Sequence, residues 1–128
     1  MRRFPLFATF MATAAIALGA CASGHARSAN AGEAFALVPG ELVQLPDAAT
    51  LRYLRVAQDS RCPPDVQCIR AGDADVVFEF TPAGGTPVQV EVNLPASPQA
   101  TMGTWRLQLL SLAFEAPARA TVRVDAAP

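Results

Sequence analysis

From Glu33 to its end, the chain alternates hydrophobic and polar residues in short runs separated by Pro, Gly and Asp, a pattern typical of β-strands. The clearest alternation is in residues 74–80 and 87–94, which a Gly-rich connection at 81–86 joins. These two runs predict an antiparallel hairpin with one buried face. Five further runs predict strands at residues 34–38, 41–45, 51–58, 104–115 and 120–125.

About seven short strands and no convincing amphipathic helix predict an all-β domain, either a small antiparallel β-sandwich or a partly open barrel. The burial side of residues 51–58 is ambiguous because both faces of this run are mixed. The second half of residues 104–115 also fits a helical pattern, but the β-rich surroundings favour a strand. We expect the core to contain Leu54, Val56, Val76, Phe78, Phe80, Val88, Val90, Val92, Trp105, Leu107, Leu109, Val122 and Val124.

The first 20 residues have the pattern of a secretory signal peptide. Arg2 and Arg3 precede an uncharged apolar run over residues 4–20, and small polar residues follow. This run is shorter than the span of about 20 apolar residues that a transmembrane helix needs. An uncleaved membrane anchor is the less favoured alternative.

The end of the apolar run, Leu18, Gly19, Ala20 and Cys21, resembles the lipobox of bacterial lipoproteins at every position. The resemblance implies that the Cys21 thiol carries a diacylglyceryl group, that the preceding peptide is removed and that the new amino terminus is acylated. Several acyl chains hold a protein stably on a membrane, whereas one chain does so only marginally. Ordinary signal cleavage beside an incidental cysteine is the alternative.

Residues 22–32 are small and polar, which predicts a flexible tether between Cys21 and a single domain over residues 33–128. In Gram-negative lipoproteins an Asp directly after the lipidated Cys resembles the retention signal of the inner membrane, and here that residue is Ala22. We therefore expect a lipid-anchored envelope protein on the outer membrane, facing the periplasm. His25, the only histidine, lies in the tether, where no fixed geometry supports catalysis or metal binding.

The three cysteines predict one disulfide. With Cys21 lipidated, Cys62 and Cys68 remain as an even pair in an oxidising compartment. Closing a loop of this length contributes about 2.4 kcal/mol in the chain-entropy model. Pro63 and Pro64 stiffen the loop further, so its simplest interpretation is a structural connection between two strands that is cross-linked by the disulfide.

Composition argues against catalysis and against nucleic-acid binding. The chain has no Lys, its only His is in the tether, and both remaining cysteines are expected to be paired. The usual general base and the usual amine and thiol nucleophiles are therefore missing. No basic patch is large enough to predict nucleic-acid binding. We expect a non-catalytic binding or envelope-support domain without a cofactor.

The cysteine loop carries a second resemblance. Residues 59–63 (DSRCP), with Val66, Cys68, Ala71-Gly72 and Ala74, look like the signature DSRCPxxVxCxxAGxA of uncharacterised bacterial secreted proteins and lipoproteins of similar size. The resemblance implies a small β-rich envelope domain and no activity that can be carried over. Arg70 stands where the pattern has an aromatic residue, which weakens any expectation of an aromatic contact at this point.

The charged residues of this loop are the candidate binding residues for a protein partner in the envelope: Asp59, Arg61, Asp65, Arg70 and Asp73. A rigid loop lowers the entropic cost of binding, although such charges can also simply pair locally and stay solvated. The alternative function is a secreted inhibitor-like module that presents the loop to a protease or another protein. A calcium site formed by the carboxylates of Asp59, Asp65, Asp73 and Asp75 is a further alternative, but the spacing of these residues does not match an EF-hand loop. A redox pair is also disfavoured, because C-x5-C is not the C-x-x-C of redox enzymes.

Overall fold

The alternating runs form nine strands in the computed structural model, which describes residues 26–128. The strands are β1 (Arg27–Ser28), β2 (Ala34–Leu37), β3 (Leu42–Gln44), β4 (Thr50–Asp59), β5 (Ala74–Thr81), β6 (Val88–Leu94), β7 (Gln99–Met102), β8 (Trp105–Leu112) and β9 (Ala120–Ala126).

Two sheets pack face to face. One has the strand order β1-β3-β4-β5-β6 and the other has the order β2-β9-β8-β7. This arrangement confirms the predicted all-β fold. Neighbouring strands are antiparallel, apart from the two-residue strand β1, which pairs with β3 in parallel. The predicted hairpin is present as β5 and β6, with Val76 opposite Val92 and Phe78 opposite Val90.

Two strands were not predicted. β7 lies between the predicted strands 87–94 and 104–115, and it pairs with β8 so that Ala100 is opposite Leu107. β1 lies within the predicted tether 22–32. There Ala29 is buried, and the Arg27 guanidinium donates to the Glu41 carboxylate and to the Ala36 carbonyl, each over 2.9 Å. Residues 27–29 therefore belong to the sandwich.

Most of the predicted core residues are buried between the sheets, including Val76, Phe78, Phe80, Val92, Trp105, Leu107, Leu109, Val122 and Val124. Strand β4 differs from the prediction. Leu51 and Tyr53 form its buried side, whereas Leu54 is partly exposed. A register irregularity between Tyr53 and Arg55 then changes the alternation, so that Val56 packs against the edge of the core. Val88, predicted as a core residue, is 48% exposed because β6 begins there beside the hairpin turn.

Replacing Leu51 by Ala should lower the free energy of unfolding by about 2–5 kcal/mol, because the side chain is fully buried and would leave a cavity. Leu54→Ala is the matched control on the same strand. Its side chain is partly exposed, and we expect it to lower the free energy of unfolding by about 1 kcal/mol or less. Urea denaturation of both variants measures the difference. Equal losses would contradict the observed burial side of β4.

Candidate functional site

The candidate site is the connection between β4 and β5, residues 60–73, at one end of the sandwich. Cys62 and Cys68 form the predicted disulfide, with their Cα atoms 5.8 Å apart. Two backbone hydrogen bonds continue the β4–β5 ladder into the loop. Ser60 N donates to the Asp73 carbonyl over 2.8 Å, and Cys62 N donates to the Ala71 carbonyl over 3.0 Å. The loop therefore has a base, residues 60–62 and 71–73, with strand-like pairing, and a tip in which the disulfide closes residues 62–68.

Gly72 is required at this base. Its φ is +67°, in the left-handed region that residues with a side chain rarely adopt. A Cβ atom built on Gly72 would also overlap the carbonyl oxygen of Ser60, on the other side of the loop base. Only a residue without a side chain lets the two backbones come this close.

Arg61 connects the base of the loop to the other sheet. Its Nε and Nη2 donate to the two Asp59 carboxylate oxygens over 2.9 and 2.7 Å. Its Nη1 donates to the carbonyl of Leu112, the last residue of β8, over 2.6 Å. The guanidinium carbon lies 4.1 Å from the centre of the Phe114 ring, a cation–π distance. The Arg61 side chain is only 12% exposed, so it acts as a structural anchor within the domain.

Asp73 fixes the other side of the base. Its carboxylate accepts hydrogen bonds from Gln58 Nε2, Ser60 Oγ and Asn93 Nδ2 at 2.7–3.1 Å. These donors favour the charged form, Asn93 most strongly, and they hold the pKa of Asp73 below its usual value. Asn93 also donates to Asp75 over 2.7 Å. The base of the loop is thereby bonded to β6 as well as to β4 and β5.

The tip of the loop, defined here as residues 63–70, is exposed along its whole length. Ile69 is fully exposed and Val66 is 54% exposed. Val66 N donates to the Pro63 carbonyl over 3.2 Å and closes a tight turn. Asp65 and Arg70 are both exposed and make none of the side-chain hydrogen bonds or ion pairs found within residues 26–128.

The five predicted binding residues thus fall into two groups. Asp59, Arg61 and Asp73 are bonded inside the base, and only Asp65 and Arg70 are free to meet a partner. The two exposed aliphatic side chains of the tip, Val66 and Ile69, were not predicted as contact residues. The signal that could have found them is the presence of Val and Ile in a polar, Pro-containing loop without strand alternation.

Other kinds of site find little support in the described part of the chain. Within residues 26–128, no three His, Cys, Asp or Glu side chains are grouped so that they could hold a metal ion. Asp73 and Asp75 share Asn93, but Asp59 is bonded to Arg61, so the hypothetical calcium ligands do not converge. An open depression of about 360 Å³ on β7 and β8 is lined by Gln99, Ala100, Thr101 and Arg106.

Comparison of the chain with protein-family models, with curated proteins and with solved structures found no match. Cys21, the predicted lipidation site, lies outside the described residues. Residues 26–128 include no helix with the length and apolar character needed to cross a membrane. The function must therefore be inferred from the geometry of the loop and from the sequence that precedes the domain.

Replacing Gly72 by Ala should lower the free energy of unfolding by about 2–4 kcal/mol, because backbone strain adds to the overlap with Ser60. Gly84→Ala is a matched control. Gly84 has nearly the same φ, +68°, but a Cβ there would have no atom within 4 Å. We expect this control to lose only about 1 kcal/mol in chemical denaturation. A loss as small for Gly72→Ala would contradict the close approach of the two backbones.

The Asp59–Arg61 pair predicts a pH dependence of stability. Hydrogen bonding to Arg61 lowers the pKa of Asp59 below the usual value. The pair therefore stabilises the fold fully above the unfolded pKa of about 3.9, and this stabilisation is lost as the pH falls through the lower folded pKa. At pH 7, Asp59→Asn should lower the free energy of unfolding by about 0.5–1 kcal/mol, since the pair is partly exposed to solvent.

Thermal unfolding of wild type and Asp59→Asn at several pH values measures this effect. The difference in melting temperature should be largest at neutral pH and should shrink as the pH is lowered below about 4. The control is Asp65→Asn, which removes the same charge from the exposed tip and should change stability by less than about 0.5 kcal/mol at any pH. A difference that does not depend on pH would contradict the role of the Asp59 charge.

Proposed function

We propose that this chain is a lipid-anchored protein of the cell envelope whose β-sandwich binds a partner without catalysis, and that the tip of the β4–β5 loop, residues 63–70, is its contact surface. The observation that carries the proposal is the fully exposed Ile69 on a loop with a rigid base. An exposed aliphatic side chain gains free energy when a partner covers it.

Rigidity of the loop supports a binding role. The tip is closed by the disulfide, and its base is held by the Cys62–Ala71 and Ser60–Asp73 backbone bonds and by the Arg61 anchor. Binding through such a loop loses little conformational entropy, since the chain is already ordered. The rigid base also holds two apolar side chains, Val66 and Ile69, toward solvent, where a partner would cover them.

The sequence supports the other two parts of the proposal. The signal-like run and the match to the lipobox at residues 18–21 support export and lipid attachment at Cys21. The absence of Lys, and of any His after residue 25, supports a non-catalytic domain, since the common general base and amine nucleophile are missing from it. The absence of the Asp retention signal at Ala22 supports the outer membrane as the location.

An inhibitor-like module remains the second candidate, because the loop protrudes and is closed by a disulfide. The conformation of the tip argues against a protease as the partner. Recognition of a peptide by strand addition requires an extended backbone. Here Val66 N donates to the Pro63 carbonyl, so the segment is folded into a turn.

Site-specific photocrosslinking in cells that export the full chain tests the proposed surface. With a photoreactive amino acid at position 69, we expect covalent adducts with an envelope component, because this side chain is fully exposed. The matched control places the same amino acid at position 88, where Val88 is also an exposed aliphatic residue, 48% exposed, but lies on β6 outside the loop.

Adducts at position 69 that are absent at position 88 would support the loop as the binding surface. If position 69 gives no adduct, or no more than position 88, the proposed surface is wrong. The intact mass of the purified protein tests the anchor separately. A chain that begins at Cys21 without added lipid mass would remove the anchor from the proposal and leave the binding surface to be judged by the adducts.

A further inference from the structure

We propose that the partner of the loop tip is the lipid bilayer that holds the Cys21 anchor, so that the protein touches this bilayer at two points. This inference rests on the proposed function and names the partner of the same surface. It is supported by the direction of the first strand, by the length of chain before it and by the chemistry of the tip.

The first described strand is oriented so that the preceding chain leads toward the loop. β1 is parallel to β3, and β3 is antiparallel to β4. β4 ends at Asp59, immediately before the loop. Going backwards along β1, from Ser28 to Arg27, therefore means moving along the sandwich toward the end that carries the loop.

The covalent reach of the preceding chain matches the distance to the loop base. Arg27 pairs with Val43 of β3, and Val43 pairs with Leu51 of β4, which in turn pairs with Phe80 of β5. Arg27, Leu51 and Phe80 therefore lie at the same height along the sandwich. The six residue steps of β5 from Phe80 to Ala74, at the loop base, cover about 20 Å. Six residue steps also separate Arg27 from Cys21, and these can span at most about 22 Å. An anchor that continues in the direction of β1 thus reaches only the level of the base, and the tip continues beyond it to the bilayer.

The tip has the chemistry that a bilayer surface accepts. Ile69 offers a fully exposed aliphatic side chain, and Val66 offers one that is about half exposed. Pro63 and Pro64 have no backbone N–H, and the Val66 N–H is bonded to the Pro63 carbonyl. Three of the eight tip residues therefore have no backbone N–H that would lose a hydrogen bond to water on entering the interface.

The charges of the tip are compatible with this placement. Asp65 and Arg70 balance each other, so the contact depends on apolar insertion rather than on attraction to anionic lipids. The long Arg70 side chain can keep its guanidinium at the headgroup level while Ile69 enters the interface. Two aliphatic side chains would hold a free domain only weakly. On an anchored domain the contact is intramolecular, and the high effective concentration makes it sufficient to orient the sandwich.

Brominated lipids, which quench Trp fluorescence at short range, test the insertion of the tip. The lipidated Ile69→Trp protein is reconstituted in vesicles of phosphatidylethanolamine and phosphatidylglycerol, with and without bromine on the acyl chains. If the tip inserts, we expect the emission of the added Trp to fall by roughly half in the brominated vesicles and to shift to shorter wavelength, because the residue sits at the headgroup and acyl boundary. The native Trp105, 8% exposed in the core, gives a constant background.

Two further variants control the result. Val88→Trp places the probe on an exposed position of β6 and should not be quenched. Adding Val66→Asp to Ile69→Trp should restore the emission if the tip inserts as a unit. Quenching that persists in this double variant would show that the introduced Trp binds lipid on its own, and it would overturn the proposal.

An unquenched Ile69→Trp would also overturn the proposal, and the crosslinking experiment then decides about the proposed function. Protein adducts at position 69 together with an unquenched Trp would mean that the loop binds a protein partner, so the binding function would stand without the bilayer contact. No adducts and no quenching would remove both. Lipid adducts together with quenching are the expected result.

Discussion

The loop depends on one guanidinium group. Arg61 bonds at once to the Asp59 carboxylate on β4 and to the Leu112 carbonyl at the end of β8, and it covers the Phe114 ring. Only a planar cation with several fixed donors can satisfy these partners together, which is why a Lys would not replace it. Because β4 and β8 belong to different sheets, the same side chain that fixes the loop also closes this end of the sandwich.

This arrangement divides the loop into two parts with different roles. The base contains Gly72, Asp73 and Arg61, whose conformations and bonds are determined by the fold. The tip contains Val66 and Ile69, which contribute little to the fold because they are largely exposed. The geometry of the tip is therefore set by bonds that lie mostly outside the disulfide ring, and the tip sequence is free to serve a partner.

Much of the fold was predictable because alternation reports burial directly. The β5–β6 hairpin and the Cys62–Cys68 disulfide follow from the sequence, the first from period-two alternation and the second from the cysteine count. β1 was missed because it has only two residues, and β7 because its alternation covers only the four residues between Pro98 and Gly103. Each is held as a strand by pairing with a neighbour. The bulge in β4 was unpredictable for a similar reason, since it shifts the buried side within one strand.

The position of the site was predictable from the sequence, but its division into a bonded base and an exposed tip was not. Sequence alone places the charged residues in one loop, but it cannot show that Arg61 bonds to Leu112, which is 51 residues away, or Asp73 to Asn93, 20 residues away. The charged residues of the base and those of the tip were therefore predicted alike as binding residues. Long-range contacts decide which polar side chains are already satisfied and which remain available.

The short parallel strand β1 also determines how the domain responds to mechanical load. Force applied through the residues before Arg27 enters the sandwich at β1, whose hydrogen bonds to β3 lie across the strand direction. A pull along the strand loads these bonds together with the contacts of Arg27 to Glu41 and Ala36, in shear. A sideways pull opens them one after another, which requires less force. The domain therefore resists tension best when it is pulled from the end that carries the loop.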